Sequence, residues 1–169
     1  MKSRATVLAT TILICSFTTL GMAQAAVREV RGPIWIPISA FAGPLQSIQV
    51  KAPATGNITV TVTGTVVYEH TFGSQGFYCL QLSKTSGYTG GCVPMAGSDS
   101  AIRSSIASAF PTTVPNMGAS AQYSIVRTWP ATSGTTYTFY LNGYGTGFNS
   151  AWLFQPAITA VYVSGTMAQ

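Results

Sequence analysis

The run Asn57-Ile-Thr-Val-Thr-Val-Thr-Gly-Thr-Val-Val-Tyr-Glu-His70 decides the fold. Ile58, Val60, Val62, Val66, Tyr68 and His70 share one parity. Thr59, Thr61, Thr63, Thr65 and Glu69 share the other, with Val67 as the apolar exception. Successive side chains of a strand point to opposite faces, so this stretch is a strand with one dry face and one hydroxyl-rich face. Gly64 interrupts it without changing the parity. A glycine there marks either a bend or a place where a neighbouring ring or backbone crowds the core.

The same period returns on both sides of this strand. Upstream, Ser47–Pro53 turns Ile48, Val50 and Ala52 inward and ends in a turn at Pro53 and Gly56. Residues 26–41 hold Ile34, Trp35, Ile36 and Ile38 around Pro33 and Pro37. Proline removes a ladder donor, so this is an edge strand or an extended lead-in, with Trp35 at the sandwich margin. Downstream, Phe77–Ser83 sets Tyr78, Leu80 and Leu82 on one face and Cys79 on the other, towards the outer surface. Ala121–Trp129 carries Tyr123, Ile125 and Trp129 in phase. Arg127 shares their parity, either snorkelling or pairing with Glu69 or Asp99. Thr135–Leu141 alternates Tyr137, Phe139 and Leu141 with Thr136, Thr138 and Tyr140. Ala151–Val163 is the last long strand, with Trp152, Phe154, Ile158, Ala160 and Tyr162 in phase and Pro156 at a bulge or an edge.

The connections read differently. Lys84–Gly91 and Asn142–Gly147 are glycine-rich loops that display Tyr88 and Tyr144. Residues 92–118 have no strand period. Asp99 is placed to cap a short helix stopped by Pro111, inside a long crossover. Seven or eight short strands with glycine and proline turns give an all-β, antiparallel β-sandwich, of jelly-roll type.

The N-terminus is not part of that fold. Lys2 and Arg4, the uncharged run Ala5–Leu20 and the Ala23-Gln24-Ala25 site follow the order of a secretory signal peptide. The apolar run falls short of the ~20 residues that span a bilayer. Residues 1–25 are therefore expected to be cleaved, Cys15 with them, and residues 26–169 to form one domain without a membrane span. The expected location is secreted, periplasmic or cell-surface. Two cysteines then remain, Cys79 and Cys92. In an exported chain an isolated pair is most simply a disulfide, here a staple for the Lys84–Gly91 loop.

Only 7% of residues are charged, and the basic ones (Arg28, Arg31, Lys51, Lys84, Arg103, Arg127) are scattered. A nucleic-acid surface needs a basic stripe, so that class of partner is excluded. Catalysis is poorly provided for. The mature chain holds His70, Glu29, Glu69 and Asp99, and His70 and its neighbour Glu69 point to opposite faces. No Gly-x-Ser-x-Gly, His-Glu-x-x-His or phosphate loop occurs, and no carboxylate cluster for calcium. No enzyme activity, cofactor or metal is expected.

The order "SIQVKAPATGNITVTVTGTVVY", Cys79-Leu-Gln-Leu, Cys92, "TWPATSGTTYTFYLNG" and "PAITAVYV" resembles that of exported bacterial β-sandwich proteins of unassigned function. These are similar in outline to the jelly rolls of the tumour necrosis factor and complement globular-head kind. The likeness covers residues 46–164 in strand order and phase and carries over no functional residue. Two functions fit such a chain. One is a structural or interaction protein that buries a β face against itself or an extracellular partner, with a homotrimer or another small ring as the expected self-association. The alternative is a glycan-binding module in which Tyr88, Tyr144 and Tyr140 stack on sugar rings while Asn142, Asn149 and Gln155 supply hydrogen bonds.

Overall fold

A computed structural model describes residues 27–40, 43–69, 76–87, 100–106, 119–148 and 150–164. His70, Tyr88, Cys92, Asp99 and Asn149 lie outside these residues, as do residues 1–25. The described residues form nine strands: β1 (Val27–Arg31), β2 (Trp35–Pro37), β3 (Gly43–Lys51), β4 (Gly56–Glu69), β5 (Gly76–Ser83), β6 (Ser100–Ile106), β7 (Ala119–Ala131), β8 (Thr136–Thr146) and β9 (Ser150–Ser164).

They build two antiparallel sheets. Sheet I runs β1-β9-β4-β7, with β2 also on β9, and sheet II runs β3-β8-β5-β6. The pairs β1–β9, β3–β8, β4–β7 and β5–β6 are nested in sequence. This is one long hairpin rolled over on itself, a jelly roll. The threonine strand β4 sits centrally in sheet I, between β9 and β7. Its Ile58, Val60, Val62 and Val66 are wholly buried. Each such burial contributes about 1.5–3 kcal/mol. They meet Ile48, Val50, Leu80, Leu82, Phe139 and Leu141 from sheet II in one core. One margin is stitched shut: Arg28 Nη1 donates to the Gln49 carbonyl at 2.7 Å, and Gln46 Nε2 donates to the Val30 carbonyl at 2.9 Å.

Gly64 answers the question its position raises. A Cβ there would stand 2.7 Å from the Tyr123 hydroxyl oxygen and 3.0 Å from two of its ring carbons, so a ring does crowd the core. The ladder between β4 and β9 also shifts register between Thr63 and Thr65, opposite Gln155 and Pro156. A bulge adds one residue to β9, and Gln155 takes φ 46°.

Four expectations need correction. Ser100–Ile106 is a strand paired with β5, not a helix. The spacing of Ile102 and Ile106 satisfies either period, serines are weak helix formers, and the edge of β5 supplies the ladder. Residues 142–146 continue β8 and are not a loop. Gly143 and Gly145 are core positions without a Cβ, filled from above by Leu45 and Ile38. The bulge switches the phase of β9, so Ala151 and Leu153 point inward and Trp152 and Phe154 outward. Cys79 has outward parity but is fully buried, as are Gln81, Ser83 and Asn142 on that face. The outer side of sheet II is roofed there.

Candidate functional site

Three surfaces emerge from this fold. The first carries the residues singled out for ligand contact. Tyr140, Asn142 and Tyr144 alternate along β8, so they share the outer face of sheet II. Asn142 is 0% exposed. Its Nδ2 donates to the Thr85 carbonyl at 3.0 Å, and its Oδ1 accepts from the Gly87 amide at 3.1 Å. The Ser83 hydroxyl accepts from the Thr85 amide at 3.0 Å. These bonds fold residues 84–87 back over the sheet. Asn142 therefore positions residues 84–87, which precede Tyr88 in the sequence, and its amide is closed to a ligand. Tyr144 is half-buried with its ring 5.6 Å from that of Phe77. Tyr140 is also half-buried. The face expected to display open tyrosines is partly closed because β8 runs on through them as a strand.

The second surface is the outer face of sheet I. Thr59, Thr61, Thr63 and Thr65 stand along β4, beside Thr128, Val126, Ser124 and Gln122 of β7 and Val161, Thr159 and Ala157 of β9. The Thr59 and Thr128 hydroxyls are 2.8 Å apart and hydrogen-bonded. Val126 and Val163 are 55% and 53% exposed. The charged side chains stand at the margins: Glu29 and Arg31 on β1 and Glu69 at the end of β4, where it accepts from the Ser150 hydroxyl at 2.8 Å. Arg127 faces inward, its guanidinium 5.8 Å from the centre of the Trp129 ring.

The third surface lies at the other end of that face. Trp35 and Phe154 are cross-strand partners, their ring centres 4.7 Å apart, and Trp152 meets Trp35 edge-on at 6.4 Å. Beside them a groove of about 260 Å³ is lined by Arg31, Gly32, Ile34, Gln155, Pro156 and Ala157. The sequence placed Trp35 at the margin. It did not unite Trp35 with Phe154, because an unbroken period put Phe154 in the core. Pro156 was the available signal.

Among the described residues, no group of His, Cys, Asp and Glu could hold a metal ion, and no helix is long and apolar enough to cross a membrane. No family model and no curated protein matches the sequence. Solved structures are similar in fold alone. The VP2 subviral particle of infectious bursal disease virus is similar over 92% of this chain at 10% identity, with a TM-score of 0.42. The chain spans 37% of that VP2 chain. The Eiger TNF of S. frugiperda is similar over 71% of this chain and 67% of its own, at 13% identity and a TM-score of 0.33.

Proposed function

We propose that this protein is an exported structural and interaction module that associates with copies of itself through the outer face of its five-stranded sheet. The observation that carries the reading is the uncharged expanse over β9, β4 and β7, where threonine hydroxyls alternate with exposed Val126 and Val163. Such a face meets its own copy without like-charge repulsion. Threonine hydroxyls both donate and accept, so they pair with their own kind. Contact of one face with itself is isologous and closes at two chains, in place of the threefold ring expected from the sequence. Removal of residues 1–25 and a Cys79–Cys92 disulfide belong to the same reading, supported by the N-terminal pattern and the even cysteine count after cleavage. With three carboxylates and one histidine, the reading includes no catalytic role.

The test is light scattering on the processed protein and on Thr61→Lys, which places a charge at the centre of the face. The wild type should have the mass of two chains and the variant that of one, with the same circular dichroism. Equal masses would sink the reading.

A further inference from the structure

The aromatic end of sheet I adjoins the threonine rows, with Phe154 opposite Thr65, but the self-association reading is carried by the threonine rows and does not use it. Its construction is unusual in three respects. First, the edge of the sheet is interrupted. β1 stops at Arg31, β2 starts at Trp35, and the residues between are held against the bulge by Gly32 N–H to the Pro156 carbonyl and Gln155 N–H to the Ile34 carbonyl, both 2.9 Å. A Cβ on Gly32 would stand 2.9 Å from Pro156 Cγ, so only glycine lets the chain lie this close. Second, Gln155 is the one non-glycine residue with positive φ among those described, and its side chain is exposed. Glycine would sit there without strain. A strained residue that keeps a long polar side chain is a candidate for use of that side chain, and bulges recur where a side chain must be re-aimed. Third, Ile34 and Trp35 are 60% and 51% exposed, although Phe154 and Trp152 brace the indole from beside it. The platform is braced from beside and open to solvent.

We infer that this end of the sheet binds a neutral carbohydrate. The apolar face of a sugar ring stacks on the Trp35 indole, and ring hydroxyls reach the Gln155 amide and the Arg31–Glu29 pair across the groove. The chemistry selects this class. Each sugar hydroxyl donates and accepts, and the groove lining offers both functions in the Gln155 amide and the Arg31 guanidinium, with the Glu29 carboxylate held on Arg31 beside it. Arg31 Nε donates to Glu29 Oε1 at 2.7 Å, so the basic charge is already answered and makes no demand for an anion. A proline-rich peptide needs an aromatic-lined slot. Here the rings next to Trp35 lie at 47° and 75° to it and support it rather than opening a slot. Tyr140 and Tyr144 take no part, being on the other sheet.

Titration of the purified protein with cellohexaose, laminarihexaose and mannohexaose, followed by calorimetry and tryptophan emission, tests this. At least one hexaose should bind. Trp35→Ala should weaken it tenfold or more, while Trp35→Phe, which keeps a ring, should retain most of the affinity. Gln155→Gly should weaken it at least threefold while the melting temperature holds or rises, a combination that loss of structure does not produce. Failure of all three hexaoses at millimolar concentration overturns the assignment, as does unchanged affinity in Trp35→Ala or Gln155→Gly. Tighter binding of polygalacturonate or of a decaproline peptide than of any hexaose would replace it with an anion or a peptide site.

Discussion

Gly64 and Tyr123 face each other across β4 and β7, and the contact is as close as it can be made. Gly64→Ala should therefore cost about 1–3 kcal/mol, the usual penalty for overpacking, read as a lower urea midpoint with an unchanged slope. The Tyr123 hydroxyl is buried and finds no hydrogen-bond partner among the described residues. Tyr123→Phe should thus be neutral or stabilising by up to about 1 kcal/mol. Burial, with a smaller contribution from nearby Tyr78, pushes the Tyr123 phenol well above the ordinary tyrosine range. The folded state then holds a proton that the unfolded chain releases above about pH 10. Stability is complete below that pH and falls as pH rises through the alkaline range. Urea titrations at pH 8 and pH 11 should differ, and Tyr123→Phe should narrow the difference. Asn142 is the other residue whose role only its contacts reveal. Asn142→Asp can still accept from Gly87 but cannot donate to the Thr85 carbonyl, and it buries a charge. It should cost about 2–4 kcal/mol and open residues 84–87 to limited proteolysis.

At the scale of the element, β9 shows how one residue sets the facing of a strand. Ile158, Ala160 and Tyr162 point inward on one parity, and Ala151 and Leu153 on the other, because Gln155 is the extra residue between them. Without Gln155 the strand would keep one period and the same facing, Ala151 and Leu153 inward and Trp152 and Phe154 outward, whereas an unbulged β9 that kept Gln155 would turn Trp152 and Phe154 into the core. A one-residue slip reverses every side chain beyond it. Deletion of Gln155 should therefore keep a cooperative unfolding transition, and Gln155→Gly, which only relieves the positive φ, should raise stability by up to about 1 kcal/mol. The strand β6 teaches the converse lesson. Ser100–Ile106 is a strand because β5 offers it a ladder, and propensity at that length decides little.

For the whole molecule, nested pairing has kinetic consequences. Val27 pairs with Val161 and Trp35 with Phe154, so the first and last strands must find each other across nearly the full domain. Loop closure precedes the reward of such contacts, and stopped-flow refolding should be slow, on the order of milliseconds to seconds. If Cys79 and Cys92 are joined as proposed, the bond closes a small loop beside the roofed face of sheet II. Reduction should then cost about 3 kcal/mol, measured as a drop in the denaturant midpoint with dithiothreitol.

Alternation alone settled the class of this protein. Period-two patterning at residues 47–53, 57–69, 77–83, 121–129 and 135–141 fixed the inward residues of five strands, because backbone geometry ties parity to facing whatever the neighbours are. Tertiary structure decided what depends on a second chain segment. It made Gly143 and Gly145 core positions, because Leu45 and Ile38 fill the space above them, where the sequence offered only a loop. It buried Asn142, because residues 84–87 fold back onto the sheet, and it buried Cys79 on the same face. It also gathered Trp35, Phe154 and Gln155 at one end of sheet I, from segments more than a hundred residues apart. A period reports which way a side chain points, and only packing reports what already occupies that side.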